Sequence, residues 1–141
     1  MKNSKGFTII ELLVVIMIIG VLAFALYSML FSREGTAKIA AAEKQVFDIY
    51  GVCQEWKVRT GSMNYAGISM NALQTAVPGF NASVTNPWGG AYTVASANGD
   101  RNVTITVQGV DENDVSGLVA RFTSKGYTAQ NSSGNVSVTL P

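Results

Sequence analysis

The sequence predicts an α+β chain in which one long N-terminal helix carries a small, mainly antiparallel sheet. Three observations carry that expectation. Residues 12–32 form a run of 21 without a charge, nearly all of them apolar. Residues 36–59 then place apolar side chains at every third or fourth position. Beyond residue 100, two short runs alternate apolar and polar side chains.

The first element follows from length and hydropathy. As a helix, the charge-free run extends about 32 Å, enough to cross a hydrocarbon core of about 30 Å. Phe7, Ile9 and Ile10 continue it upstream. The chain is 48% hydrophobic and 13% charged, against roughly a quarter charged in an ordinary soluble domain. Much of that imbalance sits in this one segment, so the chain reads as a membrane anchor followed by a solvated head. Met1-Lys2-Asn3-Ser4-Lys5-Gly6 is polar and carries two lysines and no acid. Positive charge beside an apolar span marks the cytoplasmic side, which places the head across the membrane. A secretory signal has a shorter apolar stretch followed by a small-residue cleavage site, and neither is present here. Glu11 is the only charge between Phe7 and Ser32. A carboxylate inside a membrane helix is costly and therefore functional by default. At the interface, one turn from the helix end, the cost is smaller, and the single chain leaves both readings open.

The second half of the helix is amphipathic. Ile39, Ala42, Val46, Ile49, Cys53 and Trp56 build one apolar stripe, while Lys38, Glu43, Lys44, Glu55, Lys57 and Arg59 fall largely around the remaining surface. One helix over residues 7–60, ended near Gly61, is expected. Its part over residues 7–32 is the anchor, and the later part packs under a head of residues 61–141. Cys53 lies in the stripe and reads as a buried, inert thiol.

In the head, residues 61–85 read as a long connection containing a short helix near 69–76 and ending after Pro78-Gly79. Asn86-Pro87-Trp88-Gly89-Gly90 is a turn with an aromatic anchor, leading into a strand over 91–96. Asn98-Gly99 is a strong hairpin signal. In the strand over 102–108, Val103, Ile105 and Val107 alternate with Thr104 and Thr106. Asp111 can cap a helix running to about Lys125, with Asp114 in its first turn. Val136, Val138 and Leu140 make a last strand.

Composition narrows the function classes. A net charge of +1 argues against nucleic acid as a partner. The absence of histidine removes the commonest general base and transition-metal ligand, and no nucleophile–base constellation is visible, so no enzyme, catalytic residue or cofactor is expected. Cys53 stands alone, which excludes an intramolecular disulfide. Asp100, Asp111, Glu112 and Asp114 come nearest to a hard-cation site, but helix capping accounts for the last three, and no metal is expected.

Gly6-Phe7-Thr8-Ile9-Ile10-Glu11-Leu12-Leu13-Val14-Val15 resembles the processing signal of the type IV pilin superfamily, shared by type IV prepilins and type II secretion pseudopilins. The resemblance implies a leader of residues 1–6, cleaved by a prepilin peptidase between Gly6 and Phe7, with methylation of the new Phe7 amine. Glu11 matches the family's acid at the fifth mature position. The implied role is pairing with the Phe7 amine of a neighbouring subunit, because a lone carboxylate or ammonium in a fibre core is expensive and a pair much less so. Gly20 matches a glycine at which helices of this family loosen in the fibre. Where many relatives carry a proline eight residues later, this chain has Ser28. Asn86-Pro87-Trp88-Gly89-Gly90 followed by alternating strands resembles type IVb pilins, including thin conjugative pilins. Those relatives often staple the C-terminal region with two cysteines that are absent here, Val115 standing about where the first is expected.

The resemblance implies a pilin fold and a structural subunit, in the leading reading the major pilin of an extracellular type IV pilus serving adhesion, motility, conjugation or DNA uptake. Its implied partners are other copies of itself, the peptidase, the inner-membrane assembly machinery and, before assembly, the membrane. The alternatives are a pseudopilin of a secretion piston and a ligand-binding tip pilin.

Overall fold

A computed structural model describes residues 8–141, apart from the side chains of residues 31–33. The elements run α1 (Ile9–Thr60), α2 (Met70–Ala76), β1 (Tyr92–Ala97), β2 (Asn102–Val107), α3 (Glu112–Ser124), β3 (Thr128–Ser132) and β4 (Asn135–Leu140). Two compact units share them, one reaching to Glu34 and the other being Gly35–Pro141. The division falls inside α1 rather than at its end.

Among its described residues the first unit is helical from Ile9 onward and mostly apolar. Its window of highest hydropathy makes α1 long and apolar enough to cross a membrane. Every large apolar side chain described between residues 9 and 30 is exposed, from Val15 at 45% to Ile9 at 84%.

In the second unit, the stripe along α1 is buried as its spacing predicts. Ala42, Val46, Ile49, Cys53 and Trp56 belong to the core, with Ile39 packed against it. The helix stops at Gly61, whose φ of 66° suits a residue without a Cβ. Ser62 N–H donates to the Lys57 carbonyl at 3.0 Å and Gly61 N–H to that of Val58 at 3.4 Å, which satisfies carbonyls that the helix end would otherwise orphan. Ser69 caps α2 by accepting from Ala72 N–H.

The sheet has the order β1-β2-β4-β3, antiparallel at every pairing. Tyr92, Val94, Val103, Ile105, Val107, Val136, Val138 and Leu140 face the core. On the other face Thr104 pairs with Thr139 and Thr106 with Ser137 through their hydroxyls. The Asn98-Gly99 hairpin is present, but its loop is longer than a two-residue turn, because Ala97 pairs with Asn102. Asn98, Gly99 and Asp100 all take positive φ, which their side chains tolerate.

Three expectations need correction. Sequence reading missed β3 altogether. Its residues Thr-Ala-Gln-Asn-Ser are almost all exposed, so an edge strand with no buried face carries no alternation to read. Glu43, grouped with the surface charges, is buried at 7% exposure. Asp114, assigned to capping, instead accepts from the indole N–H of Trp88 at 2.8 Å, while Asp111 alone is the N-cap, accepting from Asn113 N–H.

The buried Glu43 belongs to a seam between α1 and α3, which run side by side in the same direction. Positions four apart on α1 meet successive turns of α3. A Cβ at Gly35 would run into the Asp114 carboxylate, and a Cβ at Gly117 would lie 2.8 Å from Ile39 Cδ1. Glu43 receives Arg121 at 3.0 Å and Lys125. Phe47 packs its ring against Phe122 and Tyr127, centroids 5.9 and 5.6 Å apart.

Candidate functional site

The residues singled out for processing and assembly lie at the start of α1. Gly6 and Phe7 fall outside the described residues. Glu11 is in the first helical turn, where its side chain turns back on Thr8. Thr8 N–H donates to Glu11 Oε2 at 3.0 Å and the Thr8 hydroxyl to the same oxygen at 2.9 Å. Glu11 N–H donates to Thr8 Oγ1 at 3.3 Å. This reciprocal arrangement is a capping box. It satisfies N–H groups that a helix start leaves without partners and sets a carboxylate at the positive end of the helix dipole. Thr8 is therefore a partner of Glu11 that sequence reasoning missed. The signal was Thr8-Ile9-Ile10-Glu11 ahead of an apolar run.

Downstream, Gly20 sits within continuous helix, and a Cβ there would meet nothing within 4 Å. Among the described residues no close packing calls for glycine there, and glycine weakens a helix interior by about 0.5–1 kcal/mol relative to alanine. Ser28 stands inside the same helix with its hydroxyl donating to the Ala25 carbonyl at 2.9 Å.

In the head, the Asn86–Gly90 turn is organised by one buried side chain. Asn86 Oδ1 accepts from Trp88 N–H at 3.0 Å and Gly90 N–H at 3.1 Å, and its Nδ2 donates to the Gln108 carbonyl at 2.6 Å. Gly89 takes φ 85°, and a Cβ on Gly90 would collide with the Gln108 carbonyl. The turn thus joins β2 to α3, because Trp88 reaches across to Asp114. At the other end of the sheet, the Pro141 carbonyl accepts from Tyr50 and Tyr65 hydroxyls at 2.7 and 3.0 Å. Gln54 donates to both hydroxyls.

The electrostatics of the head follow burial and ion pairing. The Lys125 ammonium, hydrogen-bonded to Glu43, holds that carboxyl below its ordinary value, with Arg121 adding to the effect and burial opposing it. Burial pushes the Cys53 thiol up to about 12, far from the thiolate that reactivity needs. Burial likewise raises Tyr65 and Tyr92.

Searches of curated proteins and of solved structures return no match. Residues 1–27 match the family model described as the prokaryotic N-terminal methylation motif. That motif marks a structural rather than enzymatic family, whose members are processed by prepilin peptidase. The motif at residues 1–27 marks type IV prepilin-like proteins, and the long N-terminal helix followed by a small antiparallel sheet fits a pilin fold.

Proposed function

We propose that the chain is the major structural subunit of a type IV pilus. It is cut between Gly6 and Phe7, methylated on the Phe7 amine, and polymerised with copies of itself into an extracellular fibre. Residues 1–6 stay on the cytoplasmic side of the inner membrane before cleavage, and the head lies across it. The observation that carries this reading is the uncovered apolar surface of α1 over residues 9–30, where 17 large apolar side chains are exposed. Covering half of them releases on the order of 10 kcal/mol. Lipid covers them first and neighbouring helices afterwards.

Moving from lipid to a fibre core changes the apolar term little, since both surroundings are equally apolar. Register must then come from polar groups and from the heads. Glu11 supplies the first. Its Thr8 capping box satisfies the carboxylate within the monomer, and the Phe7 amine of a neighbour pairs with it in the fibre. Gly20 is the place where the helix loosens to let neighbours approach.

The test is to shear cells and identify the fibre protein by mass spectrometry. Long fibres dominated by this chain, beginning at N-methyl-Phe7, are expected. Fibres that keep Met1 would refute the cleavage. Absence of the chain from sheared fibres, with loss of protein secretion on its deletion, would make it a pseudopilin instead.

A further inference from the structure

One side of the head carries an open groove of about 550 Å³ between α1 and the segment that follows α2. Ile49 and Val52 line it from α1, and Phe80 and Val84 from the other wall. Lys44 and Asp48, ion-paired at 2.7 Å and both exposed, also line it. A groove so apolar calls for an apolar occupant. Among the described residues, the exposed large apolar side chains of the second unit are Val58, at 82%, and Met63, at 98%. They flank the end of α1, beside a second exposed ion pair, Glu55 with Arg59 at 2.7 Å.

The two ion pairs are complementary. Lys44–Asp48 runs positive to negative along the chain, and Glu55–Arg59 runs negative to positive. Both members are displaced by the same eleven residues, about three helical turns or 16 Å. Eleven residues return to nearly the same face of α1, so a second copy that runs alongside in the same direction, is turned to face this surface and is displaced by that amount brings Glu55 level with Lys44 and Arg59 level with Asp48. The same displacement brings Val58 level with residue 47, within the stretch from Ala41 to Val52 over which α1 lines the groove, and Met63 follows just beyond the helix end. We propose that this groove is a head-to-head docking site that receives Val58 and Met63 of a second copy of the chain, with the two ion pairs setting the register. The knob and the groove are different surfaces, so each copy can give one and receive the other, and the contact propagates instead of closing. This inference rests on the fibre reading above and adds the surface by which heads recognise one another.

A charge swap separates this contact from ordinary pairing within each helix. Lys44→Glu and Glu55→Lys are made singly and together in the full chain, and sheared-fibre yield is measured against the processed membrane pool. Each single change should lower yield about fivefold, the effect of roughly 1 kcal/mol, with unchanged melting of the head. The double change should restore it to within about twofold, since unlike charges again face each other between copies. Pairing within the helix alone predicts the reverse, because the double variant has like charges in both i,i+4 pairs. In parallel, subunits with Val52→Cys are co-expressed with subunits with Met63→Cys, and a disulfide-linked dimer is expected in the fibres. A double variant no better than the singles, or normal fibres without that dimer, would overturn the proposal. A Val52→Cys adduct with another protein instead would hand the groove to a different partner and overturn it too. If the unaltered chain makes no fibres, the parent reading fails first, which is a distinct result.

Discussion

Glu43→Gln should destabilise the head in a pH-dependent way. The glutamine is isosteric, so no cavity forms, and the change removes only the charge that receives Arg121 and Lys125. Two charge-assisted hydrogen bonds from a buried acceptor set an upper scale of about 3–6 kcal/mol. Both cations keep about half their side chains exposed, at 44% and 50%, and water repays much of what they lose. The expected net loss is about 2 kcal/mol at pH 7. In a fragment of residues 35–141, which forms one compact unit, that corresponds to a fall of roughly 8–12 °C in melting temperature. The sign with pH follows from the lowered carboxyl. Its folded value lies below the ordinary one of 4.5, so its contribution is complete above that pH and is lost as pH falls through the folded value. Protonated Glu43 then resembles the glutamine, and the two melting curves should converge in acid. Thermal melting by circular dichroism from pH 7 to pH 3 measures the gap. A gap that persists unchanged at the acid end, or is absent at pH 7, would refute the seam between α1 and α3 as an electrostatic clamp.

Three further outcomes are expected. The 35–141 fragment should itself be a folded, soluble monomer of mixed helix and strand by circular dichroism and size-exclusion chromatography, and an unfolded fragment would contradict the two-unit architecture. Glu11→Gln should still be inserted and cleaved, since losing the charge eases entry into lipid, but docking should weaken on the order of a hundredfold or more because the neighbour's amine is left unpaired. Counting fibres by electron microscopy beside an immunoblot of the processed pool decides it, and normal fibre number and length would reduce Glu11 to a helix cap. Gly90→Ala should cost about 2 kcal/mol, because the new methyl group meets the backbone carbonyl of Gln108, and a head with unchanged melting would show that the Asn86–Gly90 turn can relax.

What could be read from the sequence was whatever repeats with a period or punctuates it. The apolar run marked the anchor, the spacing from Ile39 to Trp56 marked the buried stripe, and the alternations at 103–107 and 136–140 marked two core strands. Gly61 and Asp111 marked element ends, because capping is local chemistry between residues a few positions apart. The capping box of Thr8 with Glu11 was equally local and was legible too, although the charge of Glu11 drew attention to assembly instead. The remainder depended on residues far apart in the chain. β3 exists because β4 offers it an edge, not because its own polar residues favour a strand. Glu43 looks like any helix-surface acid until α3 brings Arg121 and Lys125 over it, 78 and 82 residues downstream. Gly35 and Gly117 were unremarkable as letters, and only the close approach of α1 and α3 shows why a side chain is missing there. Periodicity reports which face an element buries. Which partner it is buried against is set by the packing of the whole head, and that is where tertiary structure had to decide.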